Sequence, residues 1–174
     1  MGRDRGGGRQ LCRYPRRLRD AVADPSAFDM ADGVLFLSTA RWTPALQRQL
    51  VAALERRPRP FVIANPDLLV APREGGLTLE PGLVGHELLD TVKAQTHWFG
   101  KPFPEAFAEA IARTGPVPAR LAMVDDTLHT DVLGGAAAGC RSVLVTDQGL
   151  FAGRDTGPFI RASGIVPDFI VSGP

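Results

Sequence analysis

Cysteine is scarce in this chain of 174 residues: Cys12 and Cys140 are the whole complement, with no CxxC pair. A disulfide scaffold and a thiol-based zinc or redox centre are both excluded. Also missing is any apolar run of the roughly 18–20 residues that a membrane span requires. The first residues lack the apolar stretch of a signal peptide. These absences predict a soluble, cytoplasmic chain with no membrane partner. Lysine is nearly absent too, with Lys93 and Lys101 set against 18 arginines, so each lysine is a position to explain. What remains is ordinary: 44% apolar and 22% charged residues are the composition of a globular domain. The length suits one domain, or one and a small appendage.

The charge is unevenly spread. Residues 1–19 carry seven arginines and one aspartate, a balance of +6, and the remainder carries −5. A basic arm on an acidic body can serve nucleic-acid or membrane contact. Here the arm is glycine-rich and holds Tyr14 as its one aromatic. It therefore reads as a flexible arm over residues 1–25, and nucleic acid is not expected as a partner.

From residue 26 onward strand-like and helix-like segments alternate. Gly33–Leu37 and Phe61–Ala64 are short apolar strands. Between them Thr43-Pro44 supplies an N-cap and a first-turn proline, with Leu46, Leu50, Ala53 and Leu54 at helical spacing. Leu68–Leu79 holds Pro72, Gly75 and Gly76 and reads as a hairpin or loop. Pro81 opens a helix whose apolar face is Val84, Leu88, Leu89 and Val92. A third helix carries Phe103, Ala106, Phe107, Ala110 and Ile111, ending at Gly115-Pro116. Leu121–Val124 is a buried-type strand, Thr130–Gly139 a small-residue helix, and Ser142–Thr146 and Asp168–Val171 are further strands. Strands alternating with helices predict an α/β fold with parallel strands, divided near residue 98 into two lobes.

The chemistry concentrates in Met123-Val-Asp-Asp-Thr-Leu-His-Thr-Asp131. An apolar strand delivers Asp125 and Asp126 at its C-terminal end, where open α/β sheets place their ligand sites. Asp131 follows five residues after Asp126, at the start of the next helix. Hard divalent ions such as magnesium take carboxylates, water and phosphate oxygens as ligands. The competing explanation is solvated turn and N-cap aspartates. Lys101, in Gly100-Lys101-Pro102 after another short strand, tips the balance. A lysine and a metal together neutralise a phosphoryl group.

With these residues the chain resembles the haloacid dehalogenase-like (HAD) hydrolases, most closely the class IIA branch of sugar and nucleotide monophosphatases. Gly100-Lys101-Pro102 resembles the third family motif, and Val124–Asp131 the fourth. Gly134-Gly-Ala-Ala-Ala-Gly139 before a strand, and Ala64-Asn65-Pro66-Asp67 followed by Pro81-Gly82, are similar to further parts of that branch. The resemblance implies a Rossmann-like HAD core portion over 98–174 and a remnant of an α/β cap over 26–97. It implies that Lys101 binds phosphate and is catalytic, that Asp126 and Asp131 hold Mg2+, and that Asp125 and Asp67 are auxiliary. The substrate implied is a small phosphorylated compound.

One part is missing. The family uses an aspartyl-phosphate formed on the first Asp of an Asp-x-Asp motif, and no Asp-x-Asp occurs in this chain. Asp29 and Asp32 stand three apart, in the place of a cap strand, and Thr39 is a weak imitation of the second motif. The expectation is a chain truncated at its N-terminus relative to the family. Two readings stay open: a magnesium-dependent phosphomonoester hydrolase, or a non-catalytic descendant that binds phosphate, metal or a protein partner. Lost core strands would expose a sheet edge through which the chain could form homo-oligomers. A two-component receiver also uses an Asp pair, an Asp and a Lys, but there the lysine follows the Asp pair, and here Lys101 precedes Asp125.

Overall fold

The structure is a computed structural model that describes residues 18–70, 76–92, 94–115 and 117–173. Most of the basic arm, Cys12, Pro72, Gly75, Lys93 and Pro116 lie outside the described residues.

The first lobe is built on a parallel three-stranded sheet, and its helices follow from the sequence. After a short helix α1 (Ala27–Met30), strand β1 (Val34–Phe36) leads to α2 (Pro44–Arg56). Thr43 caps α2, its side-chain oxygen accepting from the Leu46 N–H at 3.2 Å. The α2 stripe Leu46, Leu50, Ala53 and Leu54 is buried as expected. It packs on β1 and on β2 (Phe61–Ile63), with Phe36, Phe61 and Ile63 turned toward it. Arg59 closes this lobe from inside: its buried guanidinium donates to the carbonyls of Phe28, Asp29 and Ala53.

The expected hairpin is present as β3 (Leu69–Val70) and β4 (Thr78–Leu79), paired antiparallel. Helix α3 (Pro81–Thr91) follows. Val84, Leu88 and Val92 are buried, but Leu89 is exposed, because it falls off the stripe that faces the sheet. Strand β5 (Thr96–Trp98) then pairs parallel with β2, giving the order β1-β2-β5. The division expected between residues 97 and 98 therefore falls inside β5.

The second lobe begins with α4 (Pro104–Thr114). Its expected apolar stripe is only partly covered. Phe107 is buried, Ala106 and Ile111 are half-buried, and Ala110 is exposed. Strands β6 (Ala122–Asp125), β7 (Arg141–Val145) and β8 (Phe169–Val171) form a second parallel sheet in the order β6-β7-β8. Between β6 and β7 the chain makes a π-helical turn, Leu128–Val132, and then α5 (Leu133–Ala137). The helix expected from Thr130 thus starts two residues earlier and in a wider geometry. Its glycines allow close packing: a Cβ on Gly134 would lie 2.4 Å from the Phe107 ring, and one on Gly135 2.6 Å from Met123 Cβ. Helix α6 (Gly157–Ser163) completes the lobe and packs Ile160 against Leu128, Val132, Leu144 and Phe151.

Strand register puts Met123, Ser142 and Leu144 on the covered face of this sheet, and Val124, Val143 and Phe169 on the other. Among the described residues that second face is poorly covered, with Val124 54% and Phe169 56% exposed. Parallel sheets normally bury both faces.

Candidate active site

The C-terminal ends of β5 and β6 point their loops at one place. Gly100 makes this possible for β5. Its φ is +99°, and a Cβ there would lie 2.9 Å from the Ala64 carbonyl oxygen and from Pro66 Cδ. The chain turns tightly over the Asn65-Pro66-Asp67 turn and delivers Lys101, which is joined to Pro102 by a cis peptide bond. From β6 come Asp125 and Asp126. The π turn then brings in Asp131, because the Thr127 carbonyl accepts from both the Asp131 and Val132 N–H groups. Such widened turns recur at functional sites.

The four side chains meet. Lys101 Nζ lies 2.5 Å from Asp131 Oδ1 and 3.0 Å from Asp125 Oδ2. Asp125, Asp126 and Asp131 each offer an oxygen within 4.8 Å of the others'. Asp125 also turns its Oδ1 back to accept the Asp126 N–H at 3.0 Å, and Thr127 Oγ1 donates to Asp126 Oδ1 at 3.3 Å. The Asp131 side chain is nearly sealed, at 3% exposure, whereas those of Asp125 and Lys101 are 41% and 38% exposed.

Asp125 and Asp131 share one ammonium while Asp126 lies beside them, and the protonation equilibria follow from that arrangement. Burial works against the Lys101 charge, but Asp131 and Asp125 outweigh it and hold the ammonium above the usual lysine range. Burial raises the Asp125 carboxyl and its contacts with Lys101 lower it, with a net lowering. Asp126 is pushed up by burial and by the neighbouring Asp125 charge. Asp131 is pushed up by burial, which its contact with Lys101 only partly reverses. For both of these carboxyls, burial outweighs the stabilisation that neighbouring groups give the charged form.

The sequence reading located these four residues, and the structure brings them together. Asp67 stands apart from the cluster. Its backbone N–H donates to Asn65 Oδ1 at 3.2 Å, and its charge contributes to raising Asp131 from a distance. Asp29 and Asp32 are elsewhere, ion-paired on the surface with Arg56 at 2.5 Å and Arg57 at 3.4 Å. Thr39 donates to the Leu79 carbonyl beside the hairpin. His129 is exposed on the π turn. Two contributors escape sequence reasoning: Thr127, and Gly149 beyond β7, whose backbone comes up against Asp126. The signal for Gly149 was the turn-forming Asp147-Gln148-Gly149 after an apolar strand.

Comparison with known proteins bears on the fold and on the second lobe. Residues 98–171 match the model of the HAD-hydrolase-like family. A dihydroxyacetone phosphatase from Corynebacterium glutamicum is 31% identical over 85 residues, which are 49% of this chain and 30% of that protein. Among solved structures, a possible sugar phosphatase of the HAD superfamily from Cytophaga hutchinsonii has a TM-score of 0.70 at 26% identity. It matches 87% of this chain and 56% of its own. A p-nitrophenyl phosphatase from Archaeoglobus fulgidus has a TM-score of 0.67 at 24% identity, over 84% of this chain and 55% of its own. The chain spans little more than half the length of these structures, and less of the curated relative. Over residues 98–171 the chain is similar to the HAD-hydrolase-like family, and its α/β, Rossmann-like architecture is the fold seen in the HAD-superfamily phosphatases.

Proposed function

We propose that this chain binds a phosphate monoester together with Mg2+, and that it carries the phosphate- and metal-holding half of a HAD-type phosphatase site. In this reading residues 98–174 are the core portion and residues 26–97 a cap remnant. The observation that carries the proposal is the meeting of Lys101 with Asp125, Asp126 and Asp131 at two strand ends. The donor set suits magnesium: all oxygen, carboxylate, and with more negative charge than one lysine offsets. Asp126 and Asp131 would hold the ion, with Asp125 beside them, and Mg2+ when bound would supply Lewis-acid stabilisation of a phosphoryl oxygen. Lys101 would donate to a second phosphoryl oxygen and keep Asp131 oriented. Asp67, on the Asn-Pro-Asp turn, would face the rest of the substrate. A small phosphorylated compound is the substrate class in keeping with the relatives' names.

Hydrolysis needs a nucleophile as well. Among the described residues neither Asp29 nor Asp32 reaches the cluster, which favours binding without turnover as the second reading. The test is release of 4-nitrophenol from 4-nitrophenyl phosphate with Mg2+ and with EDTA, for wild type and Asp126→Asn. Magnesium-dependent turnover lost in the variant supports the hydrolase. Magnesium-dependent phosphate binding without turnover supports the binder. If neither Mg2+ nor phosphate binds, both fail.

A further inference from the structure

Behind Asp126 the loop after β7 comes unusually close. Gly149 has φ +67°, and a Cβ built there would lie 1.3 Å from Asp126 Oδ2, 2.4 Å from Cγ and 2.9 Å from Cβ. The carboxylate occupies the space that any other residue at 149 would fill with its own side chain. We propose that Gly149 is a positioning residue, the seat that holds the Asp126 carboxylate in register with Asp125, Asp131 and Lys101.

The loop cannot simply retreat from this contact, because it is held at both ends. The Thr146 N–H and hydroxyl both donate to the Val171 carbonyl, at 2.9 and 3.1 Å, tying the loop to β8. The Asp147 carboxylate fills the space at Gly173, where a Cβ would lie 2.1 Å from Asp147 Oδ2. On the far side Leu150 and Phe151 are packed into the core of the lobe. Asp126 has a short side chain, and its Cβ is itself within the contact. A methyl at 149 must therefore turn the carboxylate away from its partners or strain the loop. Either outcome couples residue 149 to residue 126 (the stake in Mg2+ rests on the reading given under Proposed function).

The experiment uses the full chain with Gly149→Ala, Asp126→Ala, the double variant and Gly153→Ala. Gly153 has φ +69° and open space around its Cβ position, so its variant reports the backbone cost of alanine without the collision. Urea unfolding in EDTA gives the four stabilities, and titration calorimetry gives Mg2+ affinity. If wild type binds Mg2+, Gly149→Ala should weaken it at least tenfold while Gly153→Ala leaves it within twofold. Equal affinity in wild type and Gly149→Ala overturns the proposal. If wild type binds no Mg2+, the metal reading fails by itself, and the unfolding cycle then decides about the seat. Gly149→Ala should then lower the urea midpoint in wild type but much less in the Asp126→Ala background. An equal drop in both backgrounds overturns it. A Gly149→Ala chain that fails to fold counts the same way: rescue by Asp126→Ala supports the seat, and no rescue overturns it.

Discussion

Replacing Asp126 with asparagine should make the metal-free chain more stable and abolish its response to magnesium. Asp126 and Asp131 are both raised above the usual carboxylate range, each first by burial, and Asp126 then by Asp125. A carboxylate whose folded pKa is raised costs nothing when both states are protonated. Its penalty grows as pH climbs from the unfolded value, about 4, through the folded one, and is complete above that. At pH 7, above the unfolded value, the penalty is present, and asparagine, which keeps the shape and can still accept from Thr127, removes it. Two unit charges separated by 4.8 Å, the limit within which the three carboxylates lie, repel by roughly 1 to 3 kcal/mol for effective dielectrics between 80 and 20. The exposure of Asp125 and the nearby ammonium favour the low end. About 1 kcal/mol corresponds to a rise in Tm of roughly 2–4 °C for a chain of this size. Magnesium at a hundred times its Kd should add about 2.7 kcal/mol to wild type and nothing to the variant. The assay is thermal unfolding at pH 7 and pH 3, in EDTA and in Mg2+. An asparagine variant that melts lower than wild type in EDTA at pH 7 refutes the electrostatic reasoning. A gain that persists undiminished at pH 3 refutes it too, and an equal magnesium response in both proteins refutes the assignment of Asp126 as a ligand.

Lys101→Met leaves the buried Asp131 without its partner and should cost about 2 kcal/mol, below the usual buried-pair loss because the lysine is partly exposed. Adding Asp131→Asn should restore most of that stability in urea unfolding but not the binding of inorganic phosphate. Asp168 accepts from the Ser142 N–H, Arg141 and the Ser142 hydroxyl, which hold its carboxyl below the usual range. The stability it lends is complete above the unfolded pKa and lost as pH falls through the lower folded value. Asp168→Asn should therefore melt below wild type at pH 7, with the gap closing in melts below about pH 4. Phe169→Asp, on the poorly covered face of the second sheet, should shift the chain toward monomer in light scattering behind size exclusion. No shift would mean that this face does not mediate self-association.

Much of the site was legible because its signals are local. A strand ending in Asp125-Asp126, a carboxylate five residues on, and a lysine between glycine and proline are each marked within a few residues, and the structure brings them together. Helix α2 was legible for the same reason: cap, first-turn proline and apolar stripe are written in consecutive turns. Gly149 was not, since its role depends on β7 returning the chain to the neighbourhood of Asp126, a contact between residues 23 apart in sequence. Nor could a stripe reveal whether anything would cover it. Ala110 and Ile111 on α4, and Val124 and Phe169 on the second sheet, have the pattern of core residues, yet among the described residues they are exposed or half-covered. Periodicity tells which way a side chain faces; what it meets there is set by other segments.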